Sequence, residues 1–357
     1  MIKQGYQEAA MAFEGSLDHL EFTPCSGGLI NTSFKVTNKK TGNTFFLQQI
    51  NTQIFLDPTL LQNNYFTIWE HFSSINTSLR IAQPLRFENG DILFNDQKGG
   101  DWRVSEFIDS STHFLTPQHK KQLSIVAEAL GNYVKILASL DPQKIKPVIP
   151  KFHDLEYRFT QFEEALQNGQ ASRIEETKAL IDELLNRKMY VLKYQLIREL
   201  PAQFPIRLLH HDAKIANLLF DDRGEEVVAV IDLDTTMPGL FFSDLGDMIR
   251  SMVGEKGEQS TEWKKLTINV DRYTQLVNGY LQSISNEFTL AEKDSIHYAG
   301  LFMLYMQSLR FLSDYLTGDH YYKTERPGQN RDRAMNQFIL LKKLEEMLSS
   351  VFGFNIQ

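Results

Sequence analysis

The stretch 207-RLLHHDAKIANLLF-220 leads, through 221-DDRGE-225, into 227-VVAVIDLD-234. The aliphatic segments around 221-DDRGE-225 read as two strands of a hairpin. Paired histidines beside an acid first suggest a zinc site. Zinc needs three or four ligands, commonly His at i and i+4 on a helix or spaced Cys and His. Adjacent histidines on an extended chain point apart, and no other His-rich motif supports a cluster. A nucleophilic relay needs its nucleophile, and the sequence holds neither a G-x-S-x-G elbow nor a reactive-cysteine signature.

A third reading fits by register. His210-x-Asp212-x-Lys214-x-x-Asn217 has the spacing of the protein-kinase catalytic loop. Phosphoryl transfer needs a carboxylate near the acceptor hydroxyl and oxygen ligands that hold Mg²⁺ against the phosphates. A hairpin with Asn217 entering one strand and Asp232 leaving the other brings two oxygen donors to one edge. Asp212, in the loop just before, faces the same space.

Outward from the hairpin the chain divides in two. Up to about residue 108 it alternates like strands, at 19-HLEFTP, 33-SFKVTN, 44-TFFLQQI, 84-PLRFENG, 91-DILFN and 102-WRVSEFI. One helix is expected at 58-PTLLQNNYFTIWEHFSS-74, with Pro58 in its first turn. From about residue 115 helical periods take over. The segment 117–140 places Leu123, Ala127, Leu130 and Val134 on one face, and 171–200 reads as one long amphipathic helix, broken at most once. Thr289 with Glu292 makes a capping box for a helix running to about Leu316, with Gly318 as its stop. The fold class is α+β: a small antiparallel β-rich lobe over 1–108, and a larger helical lobe over 109–357 that carries the hairpin.

At 357 residues the chain is long enough for two packed subdomains. A net charge of −8 argues against an extended nucleic-acid surface. Cys25 is the only cysteine, so no internal disulfide and no Cys-based zinc site is possible. The segment 298-YAGLFMLYMQSLRFLSDYL-316 includes Gln307, Arg310 and Asp314, and reads as a buried helix rather than a membrane span. The N-terminal residues lack the apolar core of a signal peptide, so a cytoplasmic protein without membrane partners is expected.

HHDAKIANLLF with VIDLD resembles the aminoglycoside phosphotransferase and choline kinase superfamily, whose fold is protein-kinase-like and bilobal. Within it the chain is most similar to the N-acetylhexosamine 1-kinases. Four segments carry that likeness: 150-PKFHDLEYRFTQFE, 231-IDLDTTMPGLFFSDLGDMIR, 309-LRFLSDYLTGDHYYKT and 330-NRDRAMNQF. The resemblance implies ATP and Mg²⁺ as cofactors and a small sugar phosphorylated at its anomeric hydroxyl. It implies a nucleotide-binding lobe at 1–108, with the catalytic loop, metal site and acceptor pocket in 109–357. Asp212 becomes the base or orienting carboxylate for the acceptor, Lys214 a contact to the transferred phosphate, and Asn217 and Asp232 the Mg²⁺ ligands. His210 braces the loop, His211 has no assigned role, and Asp234 has three open ones: holding a metal ligand in place, touching substrate, or plain hydrogen bonding.

A kinase small lobe covers the nucleotide with a glycine-bearing hairpin. The candidate is 26-SGGLINTSFKV-36, with Gly27 and Gly28 for close approach and Asn31 and Thr32 at the tip. The backbone at Glu106 and Ile108 is placed to meet adenine. One departure stands out. The third strand carries Gln48 where kinases have a phosphate-bridging lysine, and the next helix offers Gln62, Asn63 and Asn64 where its acid partner belongs, with Glu70 lower down. Either amides replace the ion pair at Gln48, or the chain is a pseudokinase that binds nucleotide without catalysis. On the acceptor side, Arg310 lies in an apolar helix face and needs partners. Contact with the acceptor, together with Tyr321, and a structural salt bridge to Asp314 or Asp244 are equally good accounts. Asp319 and Tyr322 border the same region, and Trp102 and Phe241 read as core. The alternative acceptors are amino alcohols of the choline or homoserine type and aminoglycosides; a monomer or weak homodimer is expected.

Overall fold

The computed structural model describes residues 2–25 and 30–356. The chain forms two compact units, one of Met1–His113, Ser139–Pro150 and Leu218–Pro238, the other of Phe114–Ala138, Lys151–Asn217 and Gly239–Gln357. The hairpin expected within the helical lobe therefore belongs to the first unit.

The first unit opens with a helix that strand-like alternation does not reveal, α1 (Ile2–Glu14). Six strands follow: β1 (Leu20–Pro24), β2 (Thr32–Asn38), β3 (Thr44–Gln49), β4 (Pro84–Leu85), β5 (Phe94–Asn95) and β6 (Asp101–Glu106). They pair in the order β1-β2-β3-β6-β4, with β5 also on β6, all antiparallel. Period-2 alternation sorts the side chains by face. Phe34, Val36, Phe45, Leu47, Trp102 and Val104 form one apolar core, closed by Ala9 and Ala10 of α1. The intervening positions carry a polar row: Ser33 lies opposite Gln48, and Gln48 opposite Arg103. After β3 comes α2 (Pro58–Ser73), capped by the Asp57 carboxylate on the Leu60 amide at 2.8 Å and started by Pro58 at the expected position.

A second, four-stranded sheet in this unit contains the hairpin. Leu218–Asp221 pairs antiparallel with Val227–Val230, which lies parallel to Arg80–Ile81; the outer partner of Leu218–Asp221 is Ser111–Thr112. Leu218 stands opposite Val230. Asn217 thus immediately precedes one strand and Asp232 leaves the other by two residues.

The second unit is helical. It contains α3 (Lys120–Leu137), α4 (Leu155–Asn168), α5 (Ala171–Glu176), α6 (Lys178–Leu185), α7 (Met189–Arg198), α8 (Phe242–Met252), α9 (Val270–Ile284), α10 (Leu290–Asp294), α11 (Tyr298–Thr317) and α12 (Gln329–Phe352). Leu123, Ala127, Leu130 and Val134 are buried, as their spacing predicts. The stretch 171–200 forms three helices rather than one or two. It breaks at Thr177, whose hydroxyl bonds back to the Arg173 carbonyl at 2.7 Å, and again around Asn186. The capping box at Thr289 and Glu292 is present but starts the short α10; weak helix formers at Asp294 and Ser295 separate it from α11. Gly318 ends α11 at φ 118°, a left-handed conformation suited to glycine. Helices α4, α8 and α12 pack on α11. No helix among the described residues is long and apolar enough to cross a membrane.

Candidate active site

The catalytic loop is built within the helical unit. Asp244, in the first turn of α8, receives the backbone amides of His210 and His211 at 2.9 and 2.7 Å. His210 is fully buried against Tyr133, and its Nδ1 receives the Asp212 amide at 3.3 Å. It braces the loop. His211 adopts φ 61°, uncommon outside glycine, and places its ring where a Cβ on Gly239 would collide with it. Gly239 therefore has a steric reason. Burial pushes the Asp244 carboxyl up to about 6, against the favourable His210 neighbour and the two amides.

Three expected residues come together beyond the histidines. Lys214 Nζ lies 2.6 Å from Asp212 Oδ2, and Asn217 Nδ2 donates to the Asp212 carbonyl and to Oδ2, both at 2.8 Å. Burial acts to raise the Asp212 carboxyl, but Lys214 and these hydrogen bonds outweigh it and hold the group below its usual range. Asp212 is thus an ionised, aimed acceptor. Because Asn217 uses its nitrogen on Asp212, its amide oxygen is left to serve as a hard ligand.

His211 leads to a second group of residues. Its Nδ1 lies 3.2 Å from His153 Nδ1, and His153 stacks on Phe152 with ring centres 4.5 Å apart. The Arg310 guanidinium lies 5.1 Å from the Phe152 ring, 5.9 Å from Tyr321 and 5.6 Å from Tyr322. Arg310 is buried, yet its hydrogen bond is to Gln307 at 3.3 Å and not to an acid. Asp314 instead receives the amides of His320, Tyr321 and Tyr322 and the side chain of Asn330, while Asp244 holds the catalytic loop. The salt-bridge account of Arg310 therefore fails for both acids. Arg158, close by, bonds the Phe152 carbonyl and Gln161; burial, and then the Arg310 charge, push it down to about 10. Asp319, expected near the acceptor, is held at 2.6 Å by Arg173 and also receives Asn330. Trp102 and Phe241 are fully buried, as read. Arg158 and His153 were missed as site residues; their signal was two polar residues beside aromatics in 150-PKFHDLEYRF.

The first unit holds the remaining expected residues. Gly27 and Gly28 lie outside the described residues. Thr32 is exposed at the start of β2, and Asn31 donates to Asp234 at 2.8 Å. Gln48 donates to Ser33 at 2.8 Å and accepts from Arg103 at 2.9 Å. The Glu106 side chain pairs with Arg80, its amide donates to the Gln83 carbonyl at 2.8 Å, and the Ile108 carbonyl receives Ser111 at 2.8 Å. Asp232 is exposed at φ 60°, and Asp234, two residues on, is buried against Arg103 at 2.6 Å. Helix α2 supplies no acid to Gln48: the buried Gln62 amide has no side-chain hydrogen bond, and Glu70 is exposed.

The α+β, kinase-like fold is shared with solved phosphotransferases at low sequence identity. An aminoglycoside phosphotransferase from Alicyclobacillus acidocaldarius is 12% identical, with a TM-score of 0.64 over 96% of this chain and 94% of that one. Choline kinase from Cryptosporidium parvum is 14% identical, with a TM-score of 0.59 over 98% and 97%. Amicoumacin kinase in complex with AMP-PNP and Ca²⁺ is 12% identical, with a TM-score of 0.60 over 96% and 93%. The chain belongs to the APH phosphotransferase enzyme family, which it matches over residues 21–264.

Proposed function

We propose that this chain is an ATP- and Mg²⁺-dependent kinase that phosphorylates the anomeric hydroxyl of an N-acetylhexosamine. The observation that carries the acceptor class is the pair Arg158 and Arg310, two guanidiniums among aromatic rings whose hydrogen bonds go to amide and carbonyl oxygens rather than to acids. A cationic lining repels choline, amino alcohols and aminoglycosides, and suits an acceptor rich in hydroxyl and carbonyl oxygens. Aromatic faces at Tyr321 and Tyr322 offer a sugar ring an apolar surface. The segments beginning at Pro150 and Leu309, which carry the sequence likeness to the hexosamine 1-kinases, are the ones that contribute these residues.

Asp212, ionised and fixed by Lys214 and Asn217, orients the acceptor hydroxyl and takes its proton. An anomeric hydroxyl is more acidic than an ordinary alcohol, so the proton moves late and catalysis is mostly positioning. Lys214, ion-paired with Asp212, is assigned to the transferred phosphoryl group. The Asn217 amide oxygen and the Asp232 carboxylate, hard oxygen donors of the kind Mg²⁺ prefers, would hold the ion. When bound, Mg²⁺ neutralises phosphate charge. Thr32, the Gly27–Gly28 pair and the Asn31 backbone are assigned to the phosphates, and the Glu106–Ile108 backbone to adenine.

The test is ADP release with ATP, Mg²⁺ and a panel of N-acetylglucosamine, N-acetylgalactosamine, choline, homoserine and kanamycin. Turnover is expected with the N-acetylhexosamines, with phosphorus NMR showing an anomeric phosphate. Turnover confined to the amino compounds overturns the sugar assignment. Nucleotide binding without turnover on any acceptor favours the pseudokinase.

A further inference from the structure

The kinase-type lysine is absent from β3, yet a buried ion pair stands beside its place. Gln48 on β3 lies opposite Arg103 on β6, and both belong to the polar row of the sheet. Arg103 Nη1 and Nη2 lie 2.6 and 2.9 Å from the two oxygens of Asp234, while Nε and Nη2 bond the Gln48 amide oxygen. Asn31, immediately before β2, adds a second hydrogen-bond donor to Asp234 at 2.8 Å and receives the Asn51 amide on its own oxygen at 2.9 Å. Arg103 and Asp234 are 8% and 4% exposed at their side chains, so the pair is out of water. Nε and Nη2 are hydrogen-bonded to protein oxygens, and Nη1 lies 2.6 Å from the Asp234 carboxylate as an ion pair without hydrogen-bond geometry. Arg103 is therefore not a substitute phosphate contact.

The pair acts on what lies next to it in the chain. Asp232 sits in a left-handed conformation, φ 60° and ψ 54°, immediately before the 3₁₀ turn Leu233–Thr235 that contains Asp234. Aspartate tolerates this region better than most non-glycine residues, and the contacts of the turn that follows hold Asp232 in it. The turn is closed on one side by the Thr236 amide on the Leu233 carbonyl, at 2.9 Å. On the other side the Arg103 guanidinium holds both oxygens of the Asp234 carboxylate, one by the Nη2 hydrogen bond and one by the Nη1 ion-pair contact.

We propose that Arg103 and Asp234 form a clamp that presets Asp232 as a metal ligand, with Arg103 a positioning residue tying that turn to the nucleotide sheet. The clamp rests on the reading of Asp232 as a Mg²⁺ ligand. It takes over the structural half of the missing lysine–acid pair, joining sheet to site, and leaves the phosphate-contact half to other groups. Asp234, with three open roles in the sequence, becomes the residue that holds a metal ligand in place. Outer partners of metal ligands typically contribute 10- to 100-fold to metal affinity.

The test is calorimetric binding of ADP with Mg²⁺ and with EDTA, whose ratio reports the metal's contribution without turnover. In the wild type Mg²⁺ strengthens ADP binding, and Asp232→Asn abolishes that gain. Arg103→Gln and Asp234→Asn are each expected to reduce the gain about tenfold, while ADP binding in EDTA changes less than twofold. Arg103→Lys, which keeps the charge but loses the fork, restores part of it. A buried acid left alone could unfold the chain, so the double variant Arg103→Gln/Asp234→Asn, which removes both charges, is measured too, with melting curves as the control. An unchanged Mg²⁺ gain in the folded double variant, with the gain lost in Asp232→Asn, overturns the clamp alone. An equal loss of ADP binding in EDTA overturns it in favour of direct phosphate contact. An intact gain in Asp232→Asn sinks the metal-ligand reading, and the clamp with it.

Discussion

At the residue scale the catalytic loop is a half-buried ion pair, Asp212 and Lys214, held at fixed geometry. Asp212→Asn keeps the shape but removes the proton acceptor. Acceptor-dependent turnover should fall by about 100- to 10,000-fold, with ATP affinity by calorimetry little changed; full activity would reject the mechanism. Asp244 offers a measurement independent of substrate. Burial places its folded pKa near 6, above the ordinary carboxyl value of 3.8. Between those values the folded chain keeps a proton that the unfolded chain releases, so the Asp244 contribution to stability falls as pH rises through the window. Wild type relative to Asp244→Asn should therefore lose on the order of 2 kcal/mol of unfolding free energy from pH 4 to 6.5. Denaturant titrations across that range check it, and parallel curves would refute it.

At the element scale, the crossing of α3 and α9 depends on two glycines for close approach. Gly279 of α9 faces α3, where an added Cβ would lie 2.8 Å from the Ser124 carbonyl oxygen; Gly131 of α3 would place one 2.8 Å from Ser283 Cβ on α9. Backbone does not yield as a flexible side chain does. Gly279→Ala is expected to destabilise the helical unit by about 1–3 kcal/mol, read as a lower denaturant midpoint at unchanged m-value. A gain in stability, the usual outcome for Gly→Ala on an open helix face, would show that the helices can move apart. Helix boundaries were less legible than helices: nothing in 171–200 marks the break at Thr177 except a β-branched residue able to bond its own preceding turn.

At the scale of the whole molecule, the chain enters the first unit three times. Residues 1–113 lack the segment 139–150, where the Lys146 amide and carbonyl both bond the Asn64 side chain, at 3.2 and 2.7 Å. They also lack the hairpin that brings Asp234 to Arg103. A fragment of residues 1–113 is expected to show no cooperative thermal transition by circular dichroism, although the β-rich text suggests a self-sufficient lobe. A sharp transition in that fragment would mean the later segments are dispensable.

The sequence by itself determined the two kinds of architecture, most sheet strands, the phosphotransferase loop and the trio Asp212, Lys214 and Asn217. Those are local properties: alternation, helical period and fixed spacing survive in one dimension because neighbours in the chain create them. It also exposed the missing lysine at Gln48, since an absence within a known register is readable. Only the tertiary structure decided where the charge at that place had gone. Arg103 and Asp234 are far apart in sequence and meet because β6 pairs with β3 and the hairpin joins the same unit. Likewise, Arg310 had three candidate partners in the text. Folding assigned Asp314 and Asp244 to backbone amides and left the guanidinium among aromatic rings, a choice that side-chain chemistry alone does not make.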